Sequence, residues 1–202
     1  MLIGLTGGIC SGKTTIARAF GDMGASIIDL DSLGHQVLKD DGLVKERLVY
    51  SFGAGILNEK GDIDRGKLGH LVFVNPDYLI TLNSIVHPPL IKLADERIQS
   101  ELSQHKIVVL DAALLIECNM THMVDFVVLT YTDENTQVKR LIKRGFSEED
   151  AWARVRSQIS FKEKKLYADY IIDNSTSVSD AVKQAKEIWK QLQNHSKSHI
   201  SS

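Results

Sequence analysis

Two cysteines, Cys10 and Cys118, are all that a chain of 202 residues carries. So few exclude a secreted fold stapled by disulfides, and a reducing cytoplasm is the expected location. An excess of basic charge is missing too. With 24 Lys and Arg against 26 Asp and Glu, the formal net charge is −2. General nucleic-acid binders neutralise many phosphates with basic side chains, so no nucleic-acid partner is expected. Long apolar runs are absent: none approaches the roughly 18 residues of a membrane span, and no membrane partner is expected. The opening "MLIGLTGG" has neither a basic n-region nor a long apolar h-region, so no signal peptide is expected. His and Cys nowhere take metal-ligand spacing. Internal repeats and low-complexity stretches are also lacking.

What is present is an alternation of apolar runs and helical patterns. "LIGLT" (2–6), "SIID" (26–29), "KIVVLD" (106–111), "DFVVLT" (125–130) and "DYIID" (169–173) read as five strands, nearly continuous in apolar residues. Such runs belong to a parallel sheet covered on both faces, an α/β fold. After Lys13 the apolar residues Ile16, Ala19, Phe20 and Met23 recur at helical spacing, and Gly24 is a natural stop. Residues 32–105 read almost entirely as helix, with a turn at "NEKGD" (58–62) and a capped start at "NPD" (75–77). "HPP" (87–89) is expected to end one helix and open the next. "TDEN" (132–135) and "SEED" (147–150) cap two later helices, and a last one starts near Ser179. The expected organisation is a core of 1–31 and 106–194, a helical insertion at 32–105, and a frayed tail at 195–202.

The most specific motif is Gly7-Gly8-Ile9-Cys10-Ser11-Gly12-Lys13-Thr14, a match to G-x-x-x-x-G-K-[ST] without a mismatch. Its glycines let backbone amides close on an anion, and the helix that follows adds its positive end. The segment Gly8, Ile9, Cys10, Ser11, Gly12, Lys13, Thr14 and Thr15 is therefore expected to hold a nucleoside triphosphate. Lys13 supplies charge to the β- and γ-phosphates, and the Thr14 hydroxyl ligates Mg²⁺. Mg²⁺ with ATP is the only metal expected. The N-K-x-D motif of a GTP-driven switch is absent, and the D-x-x-G match at Asp31–Gly34 comes too early in the chain to be a switch segment. A phosphoryl transfer to a small molecule is the better reading. Asp29 and Asp31 in "IIDLD" are placed at the end of the second strand, where open α/β sheets bind ligands. A carboxylate there can deprotonate an acceptor alcohol, or can cap the following helix.

The stretches "IGLTGGICSGKTT", "IIDLD", "FGAGIL" with "GDIDRGKL", "LNSIVHP", "LDAALLIE", "QVKRLIKR" and "ADYIIDN" occur in an order that resembles the dephospho-coenzyme A kinases across about residues 3–174. The resemblance implies a nucleoside-monophosphate-kinase-like P-loop fold, with a five-stranded parallel sheet, a helical acceptor-binding insertion and a lid at about 137–160 within the core. It implies ATP as donor and the ribose 3′-hydroxyl of dephospho-CoA as acceptor, and a monomer is expected. The chain departs from the family in carrying Cys10 where Gly is usual, His35 where Arg is usual, and Ala113 for Pro before Leu114-Leu115-Ile116-Glu117.

By the same resemblance Asp31 is the general base, and Asp29 faces Mg²⁺ water or supports the loop. Asp111 either meets Mg²⁺ through water or caps a helix. Arg140 and Arg144, four apart, share a helix face in this reading. They either meet the charge on the γ-phosphate and the adenine from a closing lid, or form a solvated basic face. Arg154 and Gln158 belong to the next helix. Arg65 is a candidate for an acceptor phosphate or an exposed arginine. His87 is read as shaping the acceptor cleft. Asn174 either lies near the adenine or serves as a turn residue. Leu115 and Phe52 either wall the acceptor pocket or belong to the core. Cys10 is either reactive, lying before a helix N-terminus, or a small substitute for glycine.

Overall fold

A computed structural model describes residues 1–198. Five strands, β1 (Leu2–Gly7), β2 (Ser26–Asp29), β3 (Val108–Asp111), β4 (Phe126–Tyr131) and β5 (Tyr170–Asp173), form one parallel sheet in the order β2-β3-β1-β4-β5. Crossovers place helix α1 (Lys13–Asp22) between β1 and β2, and helix α9 (Val178–Ser198) after β5. Side chains of β1 alternate between the faces. Ile3 and Leu5 join Ile16 and Phe20 of α1 and Ala181, Ala185 and Leu192 of α9 in one buried cluster. Each large side chain buried there contributes roughly 1.5–3 kcal/mol. Gly4 faces the other way. A Cβ on it would lie 2.5 Å from Leu115, so glycine is what lets the segment after β3 close on that face. All five strands run the same way, so Gly7, Asp29, Asp111, Tyr131 and Asp173 end on one edge, with Asp29 paired in register with Asp111.

The chain divides into two compact units: Met1–Asp29 with the chain from Ile98 onward, and Leu30–Arg97. The second holds helices α2 (Leu30–Asp40), α3 (Gly42–Phe52), α4 (Arg65–Val74) and most of α5 (Pro76–Leu102). The side chains of Asp41 and Asp64 accept the first free amides of α3 and α4. Asn58 organises the "NEKGD" turn by accepting from Lys60 and Asp62. Val37, Val44, Leu48, Ile56, Leu68 and Val86 make this unit's own core.

Three expectations are corrected. Helix α5 runs unbroken through Pro88 and Pro89. Two prolines cost it intrahelical bonds, about 3 kcal/mol or more each. Leu82, Ile85, Val86, Leu90 and Leu93 flank them and all pack into the unit's core, which outweighs that cost. Second, β2 ends at Asp29 and α2 begins at once, so Asp31 sits in a helical first turn and not on the strand. Third, α9 continues through residues 195–198, where a frayed tail was expected. Buried Leu192 and the His195 ring, 5.2 Å from that of Phe126, hold it to the sheet. Residues 199–202 of that tail lie outside the described residues.

Beyond β4 come α6 (Glu134–Ile142), α7 (Glu148–Arg156) and the five-residue α8 (Phe161–Lys165). Asp133, Ser147 and Ser160 cap them. Val138 and Leu141 of α6 pack on Ala151 and Val155 of α7. Ile9 and Cys10 add their side chains to this cluster. The helix α8 was not anticipated, because "FKEKK" carries no apolar stripe.

Candidate active site

The loop from Gly8 to Gly12 leaves β1 and enters α1. Four of its carbonyls, those of Gly8, Cys10, Ser11 and Gly12, are taken by donors. Cys10 O accepts from Arg140 at 2.8 Å. Ser11 O accepts from Asn174 Nδ2 at 2.7 Å and Thr132 Oγ1 at 3.2 Å. Gly12 O accepts the Thr15 amide at 2.9 Å and Gly8 O the Ser11 amide at 3.0 Å. By contrast the amides of Cys10, Gly12, Lys13 and Thr14 have no acceptor among the described residues. A run of backbone N–H groups left over at a helix N-terminus is an anion site.

Buried hydroxyls lock this loop to the sheet. Ser11 Oγ and Thr130 Oγ1 lie 2.7 Å apart, and Thr130 donates to Thr6 O at 3.1 Å. Gly12 has φ +96°, and a Cβ there would meet Asn174 Nδ2 at 2.0 Å. Cys10 has φ +57°, a left-handed conformation that costs a non-glycine residue about 1–2 kcal/mol. That explains physically why glycine suits this position.

Lys13 pairs with Asp111, whose side chain is 10% exposed at the end of β3. Turns and no helix follow Asp111, so its alternative role as a helix cap falls away. Thr14 is exposed in the first turn of α1.

Several predicted residues land elsewhere than their spacing suggested. Arg140 is not on a solvated face: its guanidinium also donates to Asn174 O at 3.1 Å and Thr132 Oγ1 at 3.3 Å, under the loop. Arg144 does not share its helix face, because α6 ends at Ile142 and Arg144 is exposed in the turn beyond. Asn174 is 3% exposed and props Ser11 from below, so it is a loop support and not a turn residue. Leu115 is fully buried against Gly4, a core position and not a pocket wall. Phe52 packs edge-on against Tyr78 in the helical unit's core. Gln158 lies past the end of α7, where Ser157 caps the helix. Arg154 stacks over Phe146 at 4.4 Å. Arg65 is exposed at the first position of α4. His87 is half-buried in α5, and that burial pulls its pKa below the ordinary histidine value. Asp31 is exposed.

Two residues were missed. Lys164, 1% exposed on α8, forms an ion pair with Glu117 at 2.8 Å. A lysine is rarely buried unless paired. Nothing in "KEKK" separates this lysine from its solvated neighbours.

An open parallel sheet with an amide-lined loop at the end of its central strand is a P-loop NTPase-like fold. The Lys13–Asp111 pair and the acidic strand ends lie at that edge of the sheet. The family model described as dephospho-CoA kinase matches residues 1–180. A dephospho-CoA kinase of Carboxydothermus hydrogenoformans is 43% identical over 195 residues, spanning 94% of each chain. Among solved structures, a protein from Thermus thermophilus superposes with a TM-score of 0.82 at 30% identity, over 95% of this chain and 97% of the other. A dephospho-CoA kinase from Campylobacter jejuni gives 0.72 at 28% identity over 98% of both. The chain belongs to the dephospho-CoA kinase family, and is thus a kinase.

Proposed function

We propose that this chain transfers the γ-phosphoryl group of ATP to the ribose 3′-hydroxyl of dephospho-CoA, giving coenzyme A and ADP. The observation that carries this reading is the loop whose carbonyls at Gly8, Cys10, Ser11 and Gly12 are engaged while its amides at Cys10, Gly12, Lys13 and Thr14 are not, in a chain of this family. The amides of Cys10, Gly12, Lys13 and Thr14 cradle the triphosphate, and Lys13 exchanges Asp111 for the β- and γ-phosphates. A cation that follows the migrating charge lowers the barrier more than it strengthens substrate binding. Arg140 adds positive charge beneath the loop and holds its shape. Asp31, the first carboxylate after β2, takes the proton of the attacking hydroxyl. The helices of Leu30–Arg97 supply the acceptor site in this reading, with Arg65 and His87 among its contacts, and the segment 137–160 acts as a lid.

The donor set fits a Mg²⁺ ion that arrives with the nucleotide. No group of three or more His, Cys, Asp or Glu gathers as a cage among the described residues. The Thr14 hydroxyl and the Asp111 carboxylate are the oxygen donors beside the loop, Asp111 acting through water. Mg²⁺ keeps several waters and phosphate oxygens as ligands, so two protein groups suffice. When bound, the ion neutralises phosphate charge.

No helix of the described residues is long and apolar enough to cross a membrane. A cytoplasmic monomer acting on a small molecule suits this reading. The test offers purified protein, ATP and Mg²⁺ with dephospho-CoA, nucleoside monophosphates, shikimate or gluconate in parallel. Phosphorylation of dephospho-CoA is expected. Turnover of a nucleoside monophosphate without turnover of dephospho-CoA refutes the assignment.

A further inference from the structure

Two glutamines from the 137–160 segment touch the start of the phosphate loop. Gln137 packs against Gly8, where an added Cβ would stand 3.0 Å from its Nε2. Its amide is committed, because Nε2 donates to Thr132 O at 2.8 Å. Gln158 differs. Its Oε1 accepts the Ile9 amide at 2.7 Å, while its –NH₂ has no acceptor among the described residues. A side-chain amide with its oxygen engaged by the loop carries both remaining donors on the side away from that contact. Gln158 also lines a cavity of about 600 Å³ whose wall includes Gly8, Thr130 and Thr132. Gln158, with its –NH₂ uncommitted, is therefore part of the wall of a cavity beside the phosphate loop.

The chain on either side of Gln158 is fixed. Ser157 ends α7, and Ser160 with Glu163 makes a capping box that starts α8. Lys164, four residues past that cap, is tied to Glu117 by the buried ion pair. The burial of that pair carries a desolvation cost that an apolar pair would avoid. What it supplies is a fixed placement of the short helix next to Gln158.

We propose that Gln158 is a catalytic residue: the Ile9 amide orients it, and its –NH₂ donates to an oxygen of the phosphoryl group in transfer. This rests on the phosphoryl-transfer reading above. A preoriented neutral donor gains most where negative charge builds, and removal of one such donor typically lowers kcat by about 10²–10³-fold.

Two variants separate this role from a purely structural one. Gln158→Glu keeps the length and keeps an acceptor for Ile9, but replaces the –NH₂ with a second carboxylate oxygen. Gln158→Met removes acceptor and donors together. With ATP and dephospho-CoA, both are expected to lose about 100-fold in kcat. KM for ATP in the Met variant should stay within about threefold of wild type, and the Glu variant should keep the wild-type thermal midpoint. A residue that only fastened the loop would tolerate Glu. Wild-type kcat in either variant overturns the proposal. A second readout needs no turnover: the side-chain amide signal of Gln158 in a ¹⁵N spectrum, identified by its loss in the Met variant. It is expected to shift when a non-hydrolysable ATP analogue binds with Mg²⁺, and an unmoved signal overturns the proposal. A wild-type protein inert toward dephospho-CoA whose Gln158 signal still shifts would refute the acceptor assignment and leave the role of Gln158 standing.

Discussion

Replacing Gly12 by alanine adds one methyl group at the most crowded point of the phosphate loop. Two costs follow. The backbone there has φ +96°, which an L-residue adopts at about 1–2 kcal/mol. The new Cβ would also stand 2.0 Å from Asn174 Nδ2, far inside contact distance. Asn174 is buried and cannot step aside into solvent. It must give up its 2.7 Å bond to Ser11 O, a net loss of about 1 kcal/mol, with a further 1–3 kcal/mol if the amide is left unsatisfied. With the amide left unsatisfied the sum is about 3–6 kcal/mol. Asn174→Ala removes the obstacle, so in that background Gly12→Ala should cost only the backbone share, about 1–2 kcal/mol. Urea unfolding of the wild type, both single variants and the double variant measures the coupling. A coupling of about 2–4 kcal/mol is expected, and the two substitutions should fall well short of adding. Costs that add within about 0.5 kcal/mol, the behaviour of independent sites, would refute the idea that Asn174 sets the loop's shape through Gly12.

Asp31→Asn should lower kcat by about 10²–10⁴-fold while leaving ATP affinity near wild type, measured by steady-state kinetics and calorimetry; a normal kcat would remove Asp31 as the base. Cys10→Gly relieves a backbone cost of about 1–2 kcal/mol and gives up a half-buried contact with the α6–α7 cluster. Its stability should stay within about 1 kcal/mol of wild type with kcat retained, and a loss above about 2 kcal/mol in urea would show that the contact dominates. His87 has its pKa lowered by burial, so the folded state favours the neutral ring. Its contribution is present above the ordinary value of about 6.5 and is lost as pH falls through the lower folded value. The thermal midpoint of wild type should therefore drop more between pH 7.5 and pH 5 than that of His87→Gln, and parallel drops would count against it.

The sheet was legible because its strands are short apolar runs, and a parallel sheet buried on both faces demands such runs. The loop was legible because its spacing encodes backbone geometry directly. Long-range packing was not legible. Pro88 and Pro89 read as a break, since local chemistry says so, and only the core on both sides of them reverses that reading. Arg140 and Arg144 are equivalent by spacing, yet one is drawn under the loop by two carbonyls and the other lies past the helix end. Leu115 could not be sorted into core or pocket without knowing that Gly4 faces it. Lys164 sits among charged residues, so its burial depends on Glu117, 47 positions earlier, and no local pattern reports it.

The strand order also governs how the chain matures on the ribosome. Central strand β1 is made first, but its partners are β3 and β4, and Leu2 must wait for Val108. At roughly 5–20 residues per second, about a hundred residues take some 5–20 s to appear. Through that interval "LIGLTG" is an apolar segment with neither edge paired, which is the kind of segment that chaperones bind and that aggregates when left alone. The Leu30–Arg97 unit is contiguous and has its own core, so it has the contacts to fold during the wait. Nascent chains halted before residue 108 should therefore hold a folded helical unit behind an unpaired N-terminal strand.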